Sequence, residues 1–154
     1  MKINKMIAAV ATVILVTVMI FTPVFAGQQG GAIYKSEGCI TNTEFTSNTA
    51  KNEGGAIYIT GGGITNTEFT NNTASGSGGA IYKSGRDNIN NEFINNTARS
   101  EGGAIYHTGG GITNTEFTNN NASGNGGAIY QTENNGISDT SFYNNNAHYE
   151  EAIN

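Results

Sequence analysis

One pentapeptide, Gly-Gly-Ala-Ile-Tyr, opens at Gly30, Gly54, Gly78, Gly102 and Gly126, each copy 24 residues after the last. Each copy is followed at near-constant spacing by Phe-x-x-Asn-x-Ala. A fixed period of this length specifies a solenoid, in which every unit buries its apolar face only against its neighbours. A sixth copy begins at Glu150-Glu151-Ala152-Ile153-Asn154.

Residues 1–26 stand outside the repeat. Lys2 and Lys5 precede an apolar run from Ile7 to Phe21, and Val24-Phe25-Ala26 ends on small residues at the −1 and −3 positions. This is the pattern of a secretory signal peptide cleaved after Ala26, with an uncleaved N-terminal anchor as the alternative. Residues 27–154 then form one repeat domain. Loss of Lys2 and Lys5 leaves five cations against twelve carboxylates, a net charge of −7. An acidic chain with no basic cluster argues against nucleic acid and anionic lipid as partners.

Aligned copies show the held columns. Ile33, Ile57, Ile81, Ile105 and Ile129 form one, Phe45, Phe69, Phe93, Phe117 and Phe142 a second, and Ala50, Ala74, Ala98, Ala122 and Ala147 a third. Ile40, Ile64, Ile89, Ile112 and Ile137 make a fourth, shifted by one residue in the third and fifth copies. No 3.6-residue stripe runs through a copy, and Gly-Gly and Asn-Asn would break a helix. β-Branched and aromatic residues between Gly and Asn turns predict three short strands per copy, one coil of a parallel β-helix. Five coils at the interstrand spacing make a stack about 24 Å long. A leucine-rich repeat has a compatible period, but residues 27–154 contain no leucine for its convex layer.

Several columns could carry function. Asn48, Asn72, Asn96, Asn120 and Asn145 predict a structural ladder of side-chain amides bonded from coil to coil. If Ile points inward, alternation turns Tyr34, Tyr58, Tyr82, Tyr106 and Tyr130 outward, as a stack or as a face for protein or carbohydrate. Glu44, Glu68, Glu92 and Glu116 line up four carboxylates, solvated or neutralised by a cation such as Ca²⁺. The pairs Thr41/Thr43, Thr65/Thr67 and Thr113/Thr115 resemble the arrays of β-helical ice-binding proteins, although Asn90-Asn91 breaks the array.

Catalysis needs residues that break the repeat. Arg86, Asp87, His107, Asp139 and His148 do so, but they fall in unmatched slots and make no nucleophile or metal-ligand constellation. A polysaccharide-active enzyme is therefore the weaker alternative, and no cofactor is expected. Cys39 occupies a slot held by Gly63 and Gly111 in other copies and reads as incidental. Three glycosylation sequons, at Asn71, Asn95 and Asn121, arise from the Asn-rich turns themselves.

Gly-Gly-Ala-Ile followed by Phe-x-x-Asn resembles the repeats of chlamydial polymorphic outer membrane proteins and related adhesin-like proteins, over residues 30–153. The resemblance implies an exported, right-handed β-helical passenger shown at a cell surface and used in adhesion, and it carries no catalytic residues. The C-terminal membrane barrel of that family has no counterpart in these 154 residues. The expected partner is a host or cell-surface protein or glycan. The unfinished sixth coil adds an expectation of end-to-end self-association through open strand edges.

Overall fold

The computed structural model describes residues 28–85, 89–133 and 136–149. The expected leader, the start of the sixth coil, and Arg86 and Asp87 lie outside these. The described chain is all-β, a parallel β-solenoid of five coils with three sheets running its length. One sheet is built from Ile33–Lys35, Ile57–Ile59, Ile81–Lys83, Ile105–His107 and Ile129–Gln131, and is called the Tyr sheet below. A second, the Glu sheet, carries Glu44–Thr46, Ile64–Thr70, Ile89–Ile94, Glu116–Thr118 and Ser141–Tyr143, with short segments such as Ile40–Thr41 and Ile112–Thr113. The third, the Ala sheet, holds Thr49–Ala50, Thr73–Ala74, Thr97–Ala98, Asn121–Ala122 and Asn146–Ala147.

All strand pairs are parallel and in register, Ile on Ile, Phe on Phe, Ala on Ala. This register follows from identity: any slip would turn the inward column of a coil to solvent. The four apolar columns are buried in the central coils, with Ile57, Phe69, Ala74 and Ile64 all fully inaccessible. The Phe rings stack along the axis at 4.9–5.2 Å between centroids and nearly parallel. Removing the middle ring leaves a gap that its neighbours cannot close without breaking register. Phe93→Ala is expected to cost about 3–5 kcal/mol, read as a shift in the urea unfolding midpoint.

The two glycines of each opening do different work. The first sits at positive φ, 63° at Gly30 and 68° at Gly78, and turns the chain between the Ala and Tyr sheets. The second is needed for close approach. A Cβ on Gly55 or Gly79 would lie 1.8 or 1.9 Å from the carbonyl oxygen of Gly79 or Gly103 in the next coil. The following Ala56, Ala80, Ala104 and Ala128 are fully buried and add an inward column to the four read from the sequence.

The corner between the Glu and Ala sheets is turned by Ser47, Asn71, Asn95, Asn119 and Asn144, all at φ between 51° and 59°. Asparagine tolerates this left-handed region better than other side-chain-bearing residues. One residue later, the predicted ladder is complete. Asn72 Nδ2 donates to Asn96 Oδ1 at 3.0 Å and to the Phe45 carbonyl at 2.9 Å, and Asn96 and Asn120 repeat both bonds with their own neighbours. Each Oδ1 also accepts the backbone N–H of the preceding coil's Asn, as Asn96 Oδ1 does from Asn72 at 3.0 Å. Buried amide groups at this corner are thus satisfied by one side chain per coil.

Candidate binding face

The Glu sheet departs from a flat strand, and the departure makes a groove. Asn42, Asn66, Asn114 and Asp139 lie at φ between 47° and 52°, in the left-handed region. At Asn66 this inserts a bulge, so that Thr65 pairs with Asn90 and Thr67 with Asn91. A bulge bends the strand and re-aims the residue after it. In this chain it turns the second Thr of each Thr-Asn-Thr inward. Thr67 and Thr115 are each 3% exposed, and their hydroxyls donate to the carbonyls of Thr65 and Thr113 at 3.1 and 3.0 Å.

The Thr-x-Thr array expected for an ice-binding face therefore does not exist as an outward pair. Alternation fails because the intervening Asn is not in extended backbone. The inward slot instead forms a second, shorter ladder: Asn91 Oδ1 accepts from the Thr67 N–H at 2.9 Å, and Asn91 Nδ2 donates to the Ile64 carbonyl at 2.9 Å. The third coil has one residue fewer between Ile89 and Phe93 than the second has between Ile64 and Phe69. Asn91 fills the slot that Thr67 fills in the coil before.

The result is an open groove of about 860 Å³ running across the coils. Its three rows are Asn42, Asn66, Asn90, Asn114 and Asp139; Thr43, Thr67, Asn91 and Thr115; and Glu44, Glu68, Glu92, Glu116 and Ser141. Along the first row, Asn66 donates to Asn42 Oδ1 and Asn114 donates to Asn90 Oδ1. The Glu row is in register, Glu44 on Glu68 on Glu92 on Glu116. Three of these carboxylates accept a local hydroxyl two residues on: Thr46 to Glu44 at 2.9 Å, Thr70 to Glu68 at 2.8 Å, Thr118 to Glu116 at 3.2 Å.

Glu92 differs. Ile94 stands where the others have Thr, so that local bond is absent. Partial burial, then Glu68 and Glu116 on either side, push its carboxyl above the usual range. Among the described residues no three acidic, His or Cys side chains converge as a metal-holding cluster.

The tyrosines form a separate row on the Tyr sheet. Tyr34, Tyr58, Tyr82, Tyr106 and Tyr130 stack at 4.7–5.2 Å between centroids, with interplanar angles of 2–21°. Stacking uses the ring faces, so the inner members present edges and hydroxyls. Only Tyr34, 66% exposed, keeps much of its surface open. Burial, with neighbouring phenols and Glu53 and Glu101, pushes the Tyr82 hydroxyl up to about 12. A sugar ring that stacks on an aromatic face would find that face occupied along most of this row.

The remaining singular residues scatter. His107 is fully buried in the Tyr sheet, Asp139 lies at one end of the groove, and His148 packs edge-on against Tyr149. Nothing brings them together. Cys39 is exposed, and Ile40 beside it bonds through its N–H to the Gly63 carbonyl, as expected for a turn residue.

These features define a class: a parallel β-solenoid repeat protein with aromatic and amide ladders inside and a polar groove outside. The Chlamydia polymorphic membrane protein repeat matches at residues 42–60, 66–84, 92–108 and 114–132. Residues 42–132 thus carry four repeats of the polymorphic membrane protein type. No curated protein and no solved structure matches it significantly.

Proposed function

We propose that this chain is an exported, surface-associated binding module of adhesin type, without catalytic activity. It engages an extended segment of a cell-surface protein or glycan along the Glu-Asn groove. The observation that carries this reading is the groove itself. It presents the same carboxylate and amide at each of the first four coils, so a linear ligand with repeated hydrogen-bond donors meets a matching series of acceptors. Such a series favours many weak contacts that add along a chain over one deep pocket. The repeat family supports display at an outer membrane or cell surface.

The Glu row costs some stability, since like charges stand one above the next, about 1 kcal/mol per pair where solvated. This is expected of a surface kept for recognition rather than for folding. Changing Glu68, Glu92 and Glu116 together to Gln keeps shape and removes charge. The triple variant is expected to fold with unchanged or slightly raised stability and to lose at least tenfold in binding. Arrays of surface glycans and extracellular-matrix proteins, probed with residues 27–154, read this out. Equal binding by wild type and variant would contradict the groove assignment, and release of reducing or unsaturated ends from polysaccharides would contradict the absence of catalysis.

A further inference from the structure

The slot two residues after each inward Ile of the Tyr sheet is Lys35, Ile59, Lys83, His107 and Gln131. Alternation turns it inward, opposite to Tyr, and Ile59, Lys83 and His107 are fully buried. His107 is paired in register with Lys83 on one side and Gln131 on the other. Neither of its ring nitrogens has a hydrogen-bond partner, nor has the buried Oε1 of Gln131.

We propose that His107 is an acid-operated latch between the third and fourth coils: once protonated, it sets a second cation in register with Lys83 inside a solvent-free corner and loosens the two coils there. The latch goes beyond the binding reading and does not depend on it. A neutral imidazole with no hydrogen bond is tolerated in such a slot at modest cost, whereas a buried imidazolium beside another cation, with only the amide oxygen of Gln131 to accept from it, is not. Among the described residues no carboxylate offsets that charge. Lys83 is the charged group whose field reaches the ring, and it acts in the same direction as burial, holding the imidazole down to about 4. Gln131 is uncharged, Tyr106 on the same strand turns outward, and the buried side chains of the other two sheets are Ile, Phe, Ala, Thr and Asn, none of them charged.

The sign is fixed by this depression. The unfolded chain takes up the proton near the ordinary histidine value of 6.5, and the folded chain only near 4. The stability contributed by neutral His107 is complete above pH 6.5 and is lost as pH falls toward 4. Glu92 works in the opposite sense. Its carboxyl is raised in the fold, so protonation in acid relieves repulsion, and acid loosening cannot come from that carboxylate. Because the third and fourth coils also carry Glu92 and Glu116, loosening there interrupts the groove at its middle.

Ile59 shows that the slot accepts isoleucine, which makes His107→Ile the informative variant. Urea unfolding of residues 27–154 at pH 7 and pH 4 is expected to show the wild-type unfolding constant rising by on the order of a hundredfold. The His107→Ile chain is expected to lose that rise. Ring NMR of the wild type supplies the second readout: His107 should remain neutral through pH 5. Exchange broadening should begin at Tyr82, Lys83 and Tyr106 as His107 titrates. Equal acid loss in wild type and variant, or a His107 ring that titrates near the ordinary histidine value of 6.5 with its neighbours undisturbed, would overturn the latch.

Discussion

Gly79→Ala is expected to abolish the folded state or leave it barely populated. The added methyl carbon would stand 1.9 Å from the Gly103 carbonyl oxygen and 2.7 Å from the backbone of Thr97. Both neighbours are backbone, so no rotamer change relieves the clash. The coils must separate at the point where the Tyr and Ala sheets meet, breaking in-register bonds such as Ala80 N–H to the Ala104 carbonyl at 2.8 Å. A cost above about 4 kcal/mol is expected, against a total stability of about 5–15 kcal/mol for a domain of this size. The control is Gly136→Ala, where a Cβ would meet nothing within 4 Å. That change should fall within about 0.5 kcal/mol of neutral. Far-UV circular dichroism and urea midpoints of the two variants separate close approach from a general preference for glycine.

The second large effect is at the ladder. Asn96 is fully buried, donates to Phe69 O and Asn120 Oδ1, and accepts from both the backbone and the side chain of Asn72. Asn96→Ala strands these groups without water, and an unpaired buried polar group costs about 1–3 kcal/mol. The expected loss is about 3–5 kcal/mol, since the groups share one corner and relax together. Asn96→Asp should be worse near neutral pH: it keeps the acceptor but turns a carboxylate toward the Phe69 carbonyl and Asn120 Oδ1. Asn95→Ala, one residue earlier and exposed, removes no side-chain hydrogen bond to a described residue and costs only left-handed strain of about 1–2 kcal/mol. Equilibrium unfolding near neutral pH should show the largest loss for Asn96→Asp, then Asn96→Ala, then Asn95→Ala.

How far the fold was legible follows from the same physics. Identical residues at a constant period must stack, so the Ile, Phe and Ala columns and the Asn ladder could be read directly. The exterior was harder. Reading Thr41-Asn-Thr43 as an extended strand assigned both threonines to one outward face, yet Asn42 at φ 52° breaks the alternation. A signal for this existed: asparagine between two β-branched residues, absent where the third copy is one residue shorter and replaced by Ser138-Asp139-Thr140 in the fifth. The buried Lys83 and His107 were within reach as well, since the alternation that turns Tyr outward turns the next residue inward. Polar identity hid them, because Lys and His are seldom placed in a core. The Gly-Gly pair read as a turn, but proximity between backbones of different coils has no signature within one copy.

The groove lies at the boundary of that legibility. The Glu row was visible as a column, while its partner row of Asn and Asp side chains became a wall only through the bulge. Sequence could offer the Tyr and Glu rows as equal candidates for a binding face. Stacked ring faces on one side and an open groove on the other now weigh toward the Glu row.

The most direct test of that assignment is to block one face at a time. In a Cys39→Ser background, a bulky maleimide is attached to Glu92→Cys in the groove, or to Lys51→Cys at an exposed turn away from it. Binding of each labelled chain to intact cells is then compared with its unlabelled form. The groove account predicts that the label at position 92 abolishes binding and the label at position 51 leaves it unchanged. Undiminished binding with position 92 blocked would contradict it.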